Sequence, residues 1–124
     1  MEIVTKRVYE PYEQSDGYRV LVDRLWPRGL TKARVHYDEW AKFLAPSTAV
    51  RKAFGHNPAN WDTFVAQYTA ELNANPEAAA FAEKLTEPTL AHYPRVTLLY
   101  GAKDEKENQA VVLAQWLRKH MPTK

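Results

Sequence analysis

The chain has 124 residues, 45% of them hydrophobic and 26% charged, with a formal net charge of +2; this predicts a single domain over residues 1–124 and excludes both a disordered chain and two full domains. Its lack of cysteine excludes disulfides, thiolate zinc sites and a cysteine nucleophile, and so small a net charge gives no bulk electrostatic argument for nucleic acid. No apolar run reaches the roughly 18 residues of a membrane helix, and Met1 to Tyr9 alternates charged with apolar side chains instead of forming a signal-peptide core, so a cytoplasmic location without membrane partners is the expectation.

Ile3 to Tyr9 alternates and is rich in β-branched and aromatic residues, which predicts a strand; polar and turn-forming residues from Glu10 to Gly17 end it. Tyr18 to Val22 predicts a second strand, with Tyr18, Val20 and Val22 on one face, Arg19 and Leu21 on the other, and Asp23 at its carboxyl end. Pro27 fixes its own φ and holds Trp26 extended, and Gly29 is free to take positive φ, so Trp26-Pro27-Arg28-Gly29 is a constrained turn. From Thr31 to Ala45 the apolar spacing fits a short helix about as well as an irregular extended stretch, and the segment is read as weakly helical.

Ser47 is placed as the N-cap of a short helix reaching Phe54, stopped by Gly55. Asn57 and Pro58 then form a cap and first-turn pair, and Trp61, Phe64, Val65, Tyr68 and Leu72 recur with helical spacing. Asn75-Pro76-Glu77 opens another helix, with Phe81, Ala82 and Leu85 as its buried stripe and Pro88 beyond its end. Val96 to Tyr100 is almost continuously apolar, as suits a central strand covered on both faces, and Gly101 ends it. Asp104 with Glu107 reads as an acidic variant of the capping box before a last helix that buries Val112, Leu113, Trp116 and Leu117. The sum is a small α/β domain with a central, mainly parallel sheet of three or four strands flanked by about four helices.

Open α/β sheets bind ligands outside the carboxyl ends of their strands. Two segments end there: if the second strand and the Val96 strand are parallel neighbours, Asp23, Arg24 and Arg28 lie beside Gly101, Lys103, Asp104 and Asn108. Arginines on a stiff turn near a helix start can hold a phosphate or carboxylate through guanidinium forks and free backbone N–H groups. This makes Arg24, Arg28, Lys103 and Asn108 candidate ligand-binding residues. Between Arg19 and Arg34 five basic residues face one acid, a local excess of +4, which a solvated surface segment would also produce.

The remaining candidates each have two readings. Asp23 is either the structural partner of Arg24 or Arg28, or a general base. Asp104 is a helix cap or a proton-transfer group, and Asn108 points into the crevice or into solvent. His56, in a rigid break between helices, is the best placed of the histidines for proton transfer. His36, His92 and His120 show no ligand-like spacing, so no metal site is implied, and no glycine-rich or Walker-type fingerprint implies a cofactor. Ser47 lacks a nucleophile-elbow context, and Trp26, Trp40, Trp61 and Trp116 read as core packing in preference to a stacking platform.

Lys6-Arg7-Val8-Tyr9, the run from Asp16 to Leu30 and Leu44-Ala45-Pro46-Ser47, with Arg51, Phe54-Gly55-His56, Trp61, Phe64, Tyr68, Val96 to Tyr100, Lys103-Asp104, Asn108 and Val112-Leu113, resemble the bacterial YeaO-like family along nearly the whole chain. The resemblance implies a small cytoplasmic α/β protein and carries no established activity. Relatives outside this branch resemble one another in cysteines after the last strand, in a Cys-Glu and Cys-His-Arg pattern suited to a reactive or metal-binding site; here Tyr100 and the residues after it take that stretch, and no thiol chemistry carries over. The resemblance also brings a winged-helix regulator reading, which a recognition helix rich in basic and amide side chains would support. The helix opened by Trp61 offers Asp62, Gln67 and Glu71 without lysine or arginine, so nucleic acid is not the expected partner.

Two functions from different classes follow. One is a protein that binds a small anionic metabolite in a crevice lined by Arg24, Arg28, His56, Asp104 and Asn108, with Asp23, His56 or Asp104 moving a proton if chemistry occurs. The other is a noncatalytic interaction module that docks a protein or a nucleic-acid backbone through residues 19–34.

Overall fold

The computed structural model describes residues 1–121. Four strands, β1 (Glu2–Arg7), β2 (Tyr18–Leu21), β3 (Glu39–Trp40) and β4 (Arg95–Tyr100), form one sheet in the order β1-β4-β2-β3. All three pairings are parallel, with Ile3 opposite Val96, Val20 opposite Leu98, and Val20 opposite Glu39. The nearly unbroken apolar run of β4 is that of a strand paired on both sides and covered on both faces, and Val96 through Tyr100 are all buried. Six helices accompany the sheet: α1 (Lys32–Val35), α2 (Thr48–Phe54), α3 (Trp61–Ala74), α4 (Pro76–Lys84), α5 (Pro88–Ala91) and α6 (Gln109–His120). Among the described residues no helix is long and apolar enough to cross a membrane.

The local signals act where the sequence places them. The Ser47 side chain accepts from the Val50 N–H at 3.2 Å, and Gly55 closes α2 in the left-handed region at φ 57°. Asn75 caps α4 by accepting from the Glu77 N–H at 3.0 Å. The ambiguous stretch from Thr31 to Ala45 divides into the one-turn α1, the two-residue edge strand β3 and a 3-10 turn at Lys42–Leu44. Pro88 lies beyond the end of α4, as expected, and also opens the short α5, because a missing N–H costs nothing in a first turn.

The last helix begins later than expected. Asp104 accepts from the Lys106 and Glu107 N–H groups, each at 2.9 Å, in an isolated turn. The cap of α6 is Asn108, which accepts from the Val111 N–H at 3.1 Å and donates to the Asp104 carbonyl at 2.8 Å. It is fully buried, so neither a solvent-facing nor a crevice-facing position describes it.

Alternation in β2 divides the interior in two. Val20, Val22, Leu98 and Tyr100 join the helices in the main core, whereas Leu21 and Leu99 face the other way, onto Val8 and Val35, with Trp26, Leu30, Tyr37 and Trp40 packed around them. Arg19 shares that second face and is 1% exposed. Its guanidinium pairs with Asp16 and donates to the Val35 and His36 carbonyls at 2.8 and 2.7 Å, while Lys6 reaches the same Asp16 carboxylate at 3.1 Å. One of the five arginines and lysines counted between residues 19 and 34 is therefore an internal fastening that carries no surface charge.

Immediately before β2, Gly17 sits at φ +68°, and a Cβ there would lie 2.1 Å from the Arg95 carbonyl oxygen. Strand β2 meets the start of β4 only because that position has no side chain. Gly17→Ala is expected to destabilise the protein by about 3 kcal/mol or more, combining the left-handed backbone penalty with overpacking against a carbonyl that a strand holds in place. Chemical denaturation, read as a fall in midpoint at unchanged slope, measures this.

Candidate functional site

The chain leaves adjacent strands β2 and β4 toward opposite faces of the sheet. After β2 it turns through Trp26 and Leu30 onto the second-core side; after β4 it enters α6, whose Val112, Leu113 and Leu117 belong to the main core. Such a divergence between neighbouring parallel strands leaves a crevice at their carboxyl ends. A cavity of about 290 Å³ lies there, at the small end of the range for ligand sites.

One wall is the segment from Asp23 to Arg28, and the other is Gly101, Ala102 and Gln109. The helical layer closes it with Ala45, Pro46, Arg51, Phe54, His56 and Phe64. The turn carrying Arg24 and Arg28 is fixed from several directions. The Trp26 indole donates to the Leu30 carbonyl at 2.7 Å, the Trp40 indole donates to the Asp23 carbonyl at 2.8 Å, and the Tyr9 hydroxyl donates to the Arg28 carbonyl at 3.0 Å. The Trp26 ring meets Tyr37 and Trp40 edge-on.

Asp23 lies where β2, β4 and α6 converge. One carboxylate oxygen accepts from the Gly101 N–H at 2.8 Å and the other from the Gln109 side-chain amide. A Cβ at position 101 would stand 3.0 Å from that carboxylate, so glycine there permits the approach. Burial raises the Asp23 pKa to about 6, even though the Gly101 and Gln109 hydrogen bonds and the nearby His56 and Arg51 act to lower it. The expected pairing of Asp23 with Arg24 or Arg28 is not formed: among the described residues neither arginine is in an ion pair, and the Arg24 guanidinium donates to the Pro46 carbonyl at 3.2 Å.

His56 reaches the cavity from the left-handed turn after α2, with φ 55°, and its ring lies tilted on Phe54 at 5.7 Å between centroids. A residue with a Cβ seldom adopts that conformation. Asp23, Arg24, Arg28 and His56 are thus brought together, whereas Lys103, Asp104 and Asn108 are not part of the lining. Lys103 and Asp104 are exposed on the loop before α6, where the backbone N–H groups of Glu107 and Lys106 hold the Asp104 carboxyl below its ordinary pKa.

Arg51 and Gln109 are the two polar lining residues that the sequence reading left out of the site. Arg51 stands one turn before the Gly55 stop that positions His56, and Gln109 is the first residue of α6 once Asn108 is taken as its cap. Among the described residues the lining offers no serine, threonine, tyrosine or lysine hydroxyl or amine; its acid/base side chains there, apart from the arginines, are Asp23 and His56.

Fold and site together define a small parallel α/β domain with a cation-rimmed cavity at the switch point of its sheet. The chain belongs to the family described as the inactive DUF488-N3 subclade, whose model matches residues 2–124. It is 49% identical to the uncharacterized protein YeaO of Escherichia coli K12 over 118 residues, covering 95% of this chain and 98% of that one. It is 39% identical to an uncharacterized protein of Mycobacterium tuberculosis H37Rv, covering 90% of this chain and 89% of the relative. These matches agree with the YeaO-like resemblance in the sequence. No solved structure matches the chain.

The raised pKa of Asp23 has a definite consequence for stability. A carboxyl that binds its proton more tightly when folded destabilises the fold above about pH 6, and that penalty disappears as pH falls toward the ordinary carboxyl value. Asp23→Asn keeps an acceptor for the Gly101 N–H and removes the buried charge. It is expected to raise the melting temperature at pH 8 by several degrees and to change it little at pH 4.5. Thermal unfolding at the two pH values checks the sign.

Proposed function

We propose that this protein binds a small metabolite bearing a phosphate or carboxylate group in the cavity at the carboxyl ends of β2 and β4. The observation that carries the reading is the convergence of Arg24, Arg28 and Arg51 on one cavity, all three exposed at its rim and none in an ion pair among the described residues. Exposed guanidinium groups with no carboxylate of the protein as partner are free to take a ligand's anion in exchange for water, and a planar fork suits a carboxylate or phosphate. Cavities that place a few convergent polar groups against apolar walls are the usual form of small-molecule sites.

Binding, and not turnover, is the primary activity in this reading. Among the described residues the lining has no nucleophilic hydroxyl or amine, and where the resemblance places cysteines in other branches, this chain has Tyr100 followed by Gly101 and Ala102. The family description itself carries the word inactive. Asp23 and His56 remain equipped for proton transfer, so an acid/base step on a bound anion is the one chemistry that the lining supports.

Arg24→Ala removes an exposed rim cation and leaves Asp23 and its partners in place. A thermal-shift screen of wild type and this variant against phosphorylated and carboxylated metabolites is expected to find acids that stabilise the wild type saturably at one-to-one stoichiometry. Their affinity should fall about tenfold in Arg24→Ala, the loss typical of one charge-assisted hydrogen bond. If no acid stabilises either protein while polyanions bind with a steep salt dependence, the docking-module reading replaces this one.

A further inference from the structure

The cavity is polar in two opposite senses along its depth. Arg24, Arg28, Arg51 and His56 are exposed members of the lining, whereas Asp23 is half-buried and shares the lining with the buried Pro27, Pro46, Phe54 and Phe64. A plain inorganic anion that fills the deep end meets another carboxylate there, and like charges at close range repel strongly in so apolar a setting. Each Asp23 oxygen already accepts one hydrogen bond, from Gly101 or Gln109, and a carboxylate oxygen has room for a second. Beyond the Gly101 and Gln109 donors, the Asp23 carboxylate has acceptor capacity to spare.

We propose, building on the anion-binding reading above, that the ligand is a dipolar, ring-sized acid: its phosphate or carboxylate lies at the arginine rim, an apolar body spans the Phe54 and Phe64 wall, and an O–H or N–H at the far end donates to Asp23. The size fits, since about 290 Å³ accommodates a single substituted ring and leaves no room for a dinucleotide. The wall fits as well: Phe54 and Phe64 stack at 4.5 Å between centroids and present a fixed apolar surface. The charges at the deep end agree, because the groups that face Asp23 there are the neutral Gly101 N–H and Gln109 amide, with Arg51 and His56 acting from farther out.

Matched pairs of probes test this: 4-hydroxyphenylacetate against phenylacetate, and 4-aminophenylphosphonate against phenylphosphonate. Calorimetric titrations at pH 8 with wild type, Asp23→Asn and Arg24→Ala give all the affinities needed. The donor-bearing member of at least one pair is expected to bind wild type tenfold or more tightly than its partner, because a site built around a hydrogen bond penalises a ligand that leaves it unmade. In Asp23→Asn that preference should collapse, while in Arg24→Ala both members should weaken together. Equal affinity of both members for wild type, with binding still lost in Arg24→Ala, overturns the deep-donor inference and leaves anion binding standing. Failure of all four acids to bind at millimolar concentration overturns both. The higher melting temperature expected of Asp23→Asn at pH 8 separates a lost preference from a lost fold.

Discussion

A single carboxylate ties the functional end of this molecule together. Asp23 at the end of β2 is joined to the first residue after β4 through the Gly101 N–H and to the first residue of α6 through Gln109. The ladder between β2 and β4 ends with the Val22 N–H donating to the Leu99 carbonyl at 3.0 Å, and beyond it the two chains part toward opposite faces, where the Asp23 side chain joins them again. The carboxylate holds them while keeping its charge largely shielded from water, an arrangement that works against stability near neutral pH. An asparagine would serve the structural purpose more cheaply. That the acid stands there is the strongest reason to look for its use in what the cavity holds.

The contrast with Asp16 makes the same point. Both aspartates are withdrawn from solvent, but burial of Asp16 is outweighed by the Glu13 N–H, Lys6 and Arg19, and its pKa is lowered. Asp16 is a structural acid matched by cations on the far side of the sheet. Asp23 has neutral donors as its direct partners, and the nearest cations point to the cavity mouth instead of closing on it. One sheet therefore carries a satisfied ion network on one face, while at its end the arginines of the cavity lining are in no ion pair among the described residues.

Much of this was legible in the residues. Alternation in β2 assigns Val20 and Val22 to one core and Leu21 to the other, and the Ser47 and Asn75 caps fix two helix starts, because such signals are local and need no tertiary information; Asn57 caps the 3-10 turn Pro58–Asn60 that leads into α3, not α3 itself. The burial of Arg19 was half legible: its place on the same face as Leu21 follows from the pleat, but its partner Asp16 lies across a turn whose path the sequence leaves undetermined. Asp104 with Glu107 reads as the cap, with Asn108 in the first turn, but the helix starts four residues later: Asn108 is its cap, and the Asp104 carboxylate closes only an isolated turn on the Lys106 and Glu107 N–H groups. That one shift moved Asn108 out of the candidate site and brought Gln109 into it. Arg51 escaped notice because its helix approaches the crevice from the far layer, a juxtaposition of topology and not of spacing.

Phe54 belongs at once to the cavity wall and to the stack of aromatic rings that runs through Phe64 to Tyr68 beneath the helices. The same short helix that carries it also carries Arg51 and ends in the bend that presents His56. An occupant of the hollow therefore leans on the hydrocarbon interior without any intervening shell. Filling or emptying it therefore touches core packing directly, through the Phe54 and Phe64 rings that line it.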